Sequence, residues 1–248
     1  MSRRWYDAIP GVTGKAPLSD ATLTNWPDRA MEDRLRYLSF CPVALGEIYL
    51  LAQYLPMTVL DGPAGPELMA VLRPDQLQRP AFDADGKLTL AYRPLALRML
   101  PFFVEADGEI WRLEDAEGEA GPERPLEVQK RLCAILGAQV EGRIRMRASL
   151  SRLMDAGFLV AHDDTESRQL GELAVETQPL RSQTAREDFL GLRLLNTILF
   201  SRRNLKSSVT LPDSGMGARL SLVRDAALRD RPFLSDDETI DFEKLMRD

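Results

Sequence analysis

Prolines and turn motifs divide residues 41–103 into short segments, and this division limits the folds that the chain can adopt. Pro42 and Pro56 bound a stretch of apolar residues at helical spacing, and proline is tolerated at the entrance of a helix but not in its interior. The spacing therefore predicts a helix from about Ala44 to Gln53.

Pairs of apolar runs follow, and a turn sequence rich in Asp and Gly separates the two members of each pair. This pattern is typical of antiparallel strands joined by tight connections. It predicts hairpins over residues 58–72, 81–92 and 102–113. Consecutive hairpins form a meander, so we expect an α+β fold in which an antiparallel β-meander packs with several helices.

The second half of the chain has longer helical patterns. Residues 125–156 carry apolar side chains at a period of 3.6, and Gly137 and Gly142 are candidate points at which this segment divides into two helices. Beyond it we expect a glycine cap at Gly157, a strand over 158–161 and a helix over 185–204.

These elements suggest three regions. Residues 1–30 are rich in Pro, Gly and Thr and predict an irregular N-terminal arm that Trp5 and Trp26 anchor to the domain. The α+β domain follows over residues 31–205. Residues 206–248 mix polar residues with scattered hydrophobic ones, which predicts a poorly ordered or partner-docking tail.

Charge and composition limit the classes of partner. The chain has 248 residues, of which 44% are hydrophobic, and a net charge of −6 that argues against general attraction to nucleic acid. No apolar run approaches the roughly 20 residues that span a bilayer. We therefore expect a protein or peptide partner and no membrane span, while the sequence leaves the oligomeric state open.

Residues that carry chemistry are few. Cys41 and Cys133 have no metal-like spacing, which favours a reducing, cytoplasmic location and predicts no metal and no cofactor. His162 is the only histidine, and no G-x-S-x-G motif supplies a nucleophile for it. Asp83-x-Asp85-Gly86 lacks the later ligands of a calcium loop and predicts a turn. We predict no catalytic residue.

The segment CPVALGEIYLLAQYLPMTV resembles the opening signature of bacterial SapC-type proteins. The second block of the resemblance contains a D-x-D-G turn, then a Y-x-P step and an Arg-containing P-F ending. RLMDAGFLVAHD extends it, so that it spans roughly residues 35–162. The matching residues are Pro42, Glu47, Tyr54, Pro56, Phe82, Asp83, Asp85, Gly86, Tyr92, Pro94, Arg98, Pro101 and Phe102. Leu88 and Met99 depart from the family pattern.

The resemblance implies a non-enzymatic accessory or binding protein with a name derived from the bacterial surface layer. It also implies a connection with flavin-dependent halogenase-like and outer-membrane receptor proteins. The resemblance supplies no catalytic residues.

A group of aromatic and charged residues within this segment is the candidate ligand site. Aromatic walls beside a guanidinium suit an anionic ligand or a peptide carboxylate. The residues are Glu47, Tyr92, Arg93, Arg98, Phe102 and Phe103.

Two other functions compete with a binding protein. Arg143, Arg145, Arg147 and Arg152, followed by an apolar strand, could form the recognition helix and wing of a winged-helix DNA-binding regulator. The second alternative is an enzyme that acts on an anionic or peptide substrate in the aromatic and arginine region.

Overall fold

A computed structural model describes residues 4–19, 23–26, 31–62, 64–105, 107–115, 121–162, 171–175 and 188–206. All of them belong to one compact unit, residues 1–207. Apart from Lys206, the predicted tail at 206–248 lies outside the described residues. No helix in the described ranges has both the length and the apolar character to cross a membrane.

One antiparallel sheet has three strands, β1 (Val12–Pro17), β5 (Phe102–Val104) and β6 (Ile110–Asp115). Their order is β1-β6-β5, so the predicted hairpin over 102–113 is confirmed as β5 and β6. Strand β1 pairs with β6 along its whole length, with Lys15 opposite Leu113. The sheet therefore joins the start of the chain to a hairpin about a hundred residues later in the sequence.

The second antiparallel sheet has five strands in the order β2-β4-β3-β8-β7. The predicted hairpin over 58–72 is confirmed as β3 and β4, which close through a Gly62–Gly65 pair. The strands are β2 (Phe40–Pro42), β3 (Met57–Gly62), β4 (Gly65–Val71), β7 (Leu159–Ala161) and β8 (Glu172–Val175). Together the sheets and helices confirm the predicted α+β class with antiparallel strands.

Four α-helices and four short 3-10 helices complete the described part of the chain. The α-helices are α1 (Ile48–Ala52), α2 (Leu95–Arg98), α3 (Leu126–Asp155) and α4 (Phe189–Ser201). The 3-10 helices are Trp5–Ala8, Glu32–Tyr37, Leu45–Glu47 and Arg202–Asn204. The predicted helix over 44–53 is confirmed as the Leu45–Glu47 turn and α1, and that over 185–204 as α4 with its 3-10 extension, although residues 185–187 are not described.

The end of α3 follows the predicted glycine cap. Gly157 has a positive φ of 74°, its N–H donates to the Met154 carbonyl, and the Phe158 N–H donates to the Leu153 carbonyl. These two bonds form a Schellman motif, which satisfies carbonyls that the end of the helix would otherwise leave exposed. The chain then leaves directly into β7.

One large apolar core joins these elements, and a small second cluster contains Phe40, Met69 and Val71. Both sheets and the helices α1, α3 and α4 contribute fully buried side chains to the large core. Representative members are Leu51, Val59, Phe103, Leu150 and Ile198.

Three predictions about local structure are wrong. The N-terminal arm is not irregular throughout, because residues 12–17 form β1. The hairpin over 81–92 reduces to one isolated bridge between Phe82 and Leu88, and Leu90 and Tyr92 pack against the core instead of extending a ladder. Residues 126–155 form one continuous helix, since packing against β4, α4 and β7 outweighs the low helix propensity of its glycines.

The two helical glycines of α3 differ in their surroundings, so replacing each by alanine should have different effects. Gly137 is exposed, and an added Cβ would meet nothing within 4 Å. Gly137→Ala should raise the free energy of unfolding by about 0.5–1 kcal/mol, because alanine loses less backbone entropy in a helix. A Cβ at Gly142 would lie 3.0 Å from the Leu45 Cβ.

Gly142→Ala should therefore not raise the free energy of unfolding as Gly137→Ala does, because the Leu45–Glu47 turn must move away from α3 to make room for the added Cβ. Urea unfolding of the two variants gives both values. Equal stabilisation by the two substitutions would contradict the close approach of Leu45 to α3.

Candidate functional site

Glu47 is a buried carboxylate, only 4% exposed, at the end of the 3-10 helix Leu45–Glu47. Its Oε1 accepts a hydrogen bond from the Ala44 N–H at 2.9 Å, and its Oε2 accepts one from the Leu95 N–H at 2.8 Å. Both N–H groups lie at helix starts, where no carbonyl of the same helix can accept from them. One side chain therefore caps two helices.

Tyr92 and Arg98 complete a polar cluster around Glu47. The Tyr92 hydroxyl is hydrogen-bonded to the Glu47 carboxylate and accepts from a terminal nitrogen of Arg98 at 3.0 Å. The Arg98 guanidinium also lies 5.1 Å from the centre of the Tyr92 ring. Glu47, Tyr92 and Arg98, which were predicted together, thus converge in space.

Burial and hydrogen bonding shift the pKa values of two members of this cluster. Burial raises the pKa of Glu47, while the Ala44 and Leu95 N–H groups, the Tyr92 hydroxyl and the Arg98 charge oppose that rise. Burial and the Glu47 charge raise the pKa of Tyr92, which keeps its hydroxyl protonated. The hydroxyl can then donate to the carboxylate and accept from Arg98.

Cys41 lies near this cluster and is completely buried. Burial, followed by the negative charge of Glu47, raises the pKa of the Cys41 thiol well above its ordinary value. The thiolate is the nucleophilic form of cysteine, so a thiol with a raised pKa is a poor nucleophile.

The other three predicted site residues lie elsewhere. Arg93 donates to the Glu32 carboxylate and to the Leu97 carbonyl, both at 3.2 Å. Phe102 and Phe103 are 0% and 2% exposed, and as neighbours in β5 they face opposite sides of the sheet. The phenylalanines therefore belong to the packed interior and form no wall beside Tyr92.

Their ring contacts confirm the separation. Phe102 stacks edge-on against Trp26, with ring centres 5.3 Å apart. Phe103 lies 4.6 Å from the Tyr6 ring centre and 6.2 Å from that of Trp5. The two tryptophans of the N-terminal region thus pack on opposite faces of β5.

A small cavity lies between β4 and α3, beside two arginines. Arg143 is buried there and donates to the Glu67 carboxylate and to the Val104 carbonyl. Burial and the like charge of Arg147 lower the pKa of Arg143 to about 9, so it stays protonated at neutral pH. The cavity measures about 10 Å³, room for about one water, whereas ligand pockets measure roughly 300–1,000 Å³.

The four arginines predicted as part of a recognition helix differ in burial along α3. Arg143 is buried, and Arg152 pairs with the Asp188 carboxylate at 2.8 Å. Arg147 lies against β4, where a Cβ on Gly65 would come within 3.3 Å of its side chain. Arg145 and Arg152 are both exposed, so two of the four predicted arginines lie on the surface of α3.

His162 and the Asp83 turn are the remaining candidate residues from the sequence. His162 follows β7, and its backbone N–H donates to the Glu172 carbonyl. The Asp83 carboxylate accepts from the Lys87 N–H at 2.8 Å and closes the predicted turn, in which Gly86 has a φ of 83°. Within the same ranges, no three His, Cys, Asp or Glu residues are grouped as metal ligands.

An exposed group of aromatic and apolar side chains lies where α1 meets α4. Tyr49 and Tyr54 are each 37% exposed, and Phe200 is 36% exposed. Leu50 lies beside the two tyrosines in the chain and is equally open. With Arg193 and Arg203, these residues form what we call the aromatic–arginine surface: Tyr49, Leu50, Tyr54, Arg193, Phe200 and Arg203.

Both arginines of this surface stack on its aromatic rings. Arg193 Nε donates to the Tyr49 hydroxyl at 2.6 Å, and its guanidinium lies 4.8 Å from the centre of that ring. The Arg203 guanidinium lies 3.8 Å from the centre of the Phe200 ring. Such cation–π contacts hold both partners in place and leave the outer edges of the guanidiniums accessible.

Buried polar contacts hold α4 against the segment that contains α1. The Met57 N–H donates to the Ser201 hydroxyl at 2.8 Å, and the Asn204 side chain donates to the Ala52 carbonyl at 3.0 Å. Asp188 caps the start of α4 by accepting from the Gly191 N–H at 2.9 Å. The two halves of the surface therefore keep a fixed relative position.

No family model, no curated protein and no solved structure matches this chain.

The aromatic–arginine surface is not predicted from the sequence, although the sequence contains the helical spacing of three of its residues. Arg193, Phe200 and Arg203 recur at intervals of seven and three, which places them along one side of a helix. Tyr49 and Arg193, however, are 144 residues apart in the chain. No local pattern shows that α1 and α4 are neighbours.

The stability of α4 should depend on the charge of Asp188. Burial acts to raise the pKa of Asp188, but hydrogen bonds from Arg152, the Gly191 N–H and Ser149 outweigh it and leave the pKa below its usual value of 3.8. A lowered pKa in the folded state stabilises the protein above the unfolded-state pKa, and this contribution disappears as the pH falls through the folded value.

Asp188→Asn keeps a capping side chain but removes the charge, so it should cost roughly 1 kcal/mol at pH 7. The difference from the wild type should shrink as the pH falls below about 4. Urea unfolding over this pH range measures it, and a difference that does not change with pH would contradict the role of the carboxylate charge.

Proposed function

We propose that this chain is a non-enzymatic accessory protein of the SapC type that binds a protein or peptide partner through the aromatic–arginine surface. The observation that carries the proposal is the exposure of Tyr49, Tyr54 and Phe200 on neighbouring elements, together with the stacking of Arg193 on Tyr49 and of Arg203 on Phe200. Tyrosine, phenylalanine and arginine are enriched in protein interfaces, and tyrosine and arginine dominate interface hot spots.

The preorganised geometry supports this proposal. Arg193 and Arg203 are already stacked on their rings, and Asn204, just after α4, donates a hydrogen bond to the Ala52 carbonyl at the end of α1. A partner would therefore not have to order these side chains, which lowers the entropic cost of binding. The cavity beside Arg143 has room for about one water and is too small for a small-molecule ligand.

The SapC resemblance supports the same surface independently of its exposure. Two of the matching residues are Glu47, which holds the start of α1, and Tyr54, which belongs to the aromatic–arginine surface. The accessory role beside surface-layer, halogenase-like or outer-membrane receptor systems rests on that resemblance. A cytoplasmic location fits the free Cys41 and Cys133.

Substitutions on the surface should abolish capture of the partner without unfolding the protein. Tyr54→Ala and Phe200→Ala should each weaken retention at least about tenfold, because truncated hot-spot aromatics typically cost more than 1 kcal/mol. The measurement is quantitative affinity capture from a lysate of the organism that encodes the chain, with circular dichroism to verify folding.

Two exposed residues outside the surface provide matched controls. Ile144 is 51% exposed on α3, next to Gly108 in the β5–β6 turn, and Tyr37 is 50% exposed with Arg36 stacked on its ring. Ile144→Ala and Tyr37→Ala should leave capture unchanged. If all four variants retain the same proteins as the wild type, the proposed binding surface is wrong.

A further inference from the structure

The charge on the aromatic–arginine surface differs in sign from that of the whole protein. The segment from Phe189 to Asn204 contains three arginines and no acidic residue, and the segment from Ile48 to Leu55 contains no charged residue. The whole chain nevertheless carries a net charge of −6. The surface is therefore a local cationic region on an acidic protein.

Arg193 and Arg203 differ from those arginines of this fold that pair with carboxylates. Arg34, Arg93, Arg143 and Arg152 each form an ion pair with Asp or Glu. Among the residues that the structure describes, no carboxylate lies within 4.0 Å of Arg193 or Arg203. Arg193 donates to the Tyr49 hydroxyl, and the rings that lie under Arg193 and Arg203 are uncharged.

A stacked guanidinium is well suited to bind a carboxylate from outside. Its planar set of N–H donors matches the two oxygens of a carboxylate, which can accept two parallel hydrogen bonds from it. Arg193 donates through its Nε to Tyr49, and within the described ranges its two terminal nitrogens make no hydrogen bond. The Phe200 ring under Arg203 and the Tyr49 ring beside Arg193 provide apolar area next to these cations.

We infer that the partner binds through an acidic, extended peptide segment with an aromatic or aliphatic side chain between two carboxylates. This inference rests on the proposed function and names the chemistry of the partner. Arg193 and Arg203 are ten residues apart along a helix, which corresponds to roughly 15 Å. An extended peptide covers that distance in about four or five residues, so the two acidic residues should have that spacing.

The geometry favours a peptide over a polyanion. Nucleic-acid affinity at physiological salt depends on several phosphate contacts together, and this surface offers two stacked arginines. The net charge of −6 would also repel a long polyanion or an anionic membrane. A peptide with two carboxylates and one apolar side chain would match the two arginines and the aromatic rings of the surface.

A random peptide display library, selected on the immobilised protein, tests the inference without knowledge of the natural partner. Binders to the wild type should be enriched in Asp and Glu at a spacing of about four or five positions, with an apolar residue between them. Selection on the double variant Arg193→Glu/Arg203→Glu should instead enrich Lys and Arg. Arg145→Glu, which reverses an exposed charge on α3, should reproduce the wild-type enrichment.

The possible outcomes separate the two proposals. Binders that require Tyr54 and Phe200 but show no acidic enrichment would overturn the acidic partner and leave the binding surface standing. Acidic binders that tolerate Tyr54→Ala and Phe200→Ala, or an absence of any binders, would overturn both. Two further assays complete the test: fluorescence anisotropy with labelled oligothymidylate and co-sedimentation with phosphatidylserine vesicles. If the wild type binds either one tightly and Arg193→Glu/Arg203→Glu abolishes that binding, the partner is a polyanion or a membrane and the peptide proposal is overturned.

Discussion

The buried carboxylate of Glu47 links two parts of the chain that no strand pairing joins directly. Glu47 accepts a hydrogen bond from the Ala44 N–H and another from the Leu95 N–H, which is 48 residues away from Glu47 in the sequence. Burial of a carboxylate is costly unless hydrogen bonds and opposite charge compensate for it, and here Tyr92 and Arg98 supply both. The entrance of α1 and the entrance of α2 are therefore fixed together.

This arrangement explains how a short helix can carry a binding surface. Helix α1 has only five residues and would not be stable alone. Glu47 holds its start, its buried face enters the core through Leu51, and Asn204 binds the Ala52 carbonyl at its end. Tyr49 and Tyr54 can then remain partly exposed in fixed positions against α4.

The sequence predicts those parts of the fold that depend on nearby residues. The β3–β4 hairpin and the Gly157 cap both follow local rules, and the structure confirms them. Strand β1 could not be predicted, because its partner β6 lies about a hundred residues away in the chain. Conversely, the hairpin over 81–92 has the local signals but no neighbouring strand that would extend it into a sheet.

The candidate site shows the same division. Glu47, Tyr92 and Arg98 do converge, as expected from their grouping. Phenylalanines, however, occur both in pocket walls and in packed cores, so the sequence does not show which of these Phe102 and Phe103 belong to. Their burial in the structure places both in the core. Exposure of the aromatic–arginine surface likewise depends on how α1 and α4 meet, which is a property of the tertiary structure.

Amide hydrogen exchange at Ala44 and Leu95, resolved by NMR in the unmodified protein, tests the role of Glu47 most directly. Amides at helix starts normally exchange fast because no helical carbonyl accepts from them. If Glu47 holds both, the two amides should be protected by several kcal/mol and should share one opening free energy to within about 0.5 kcal/mol. Exchange of either amide at the rate of an unstructured peptide, or clearly different opening free energies, would contradict the account.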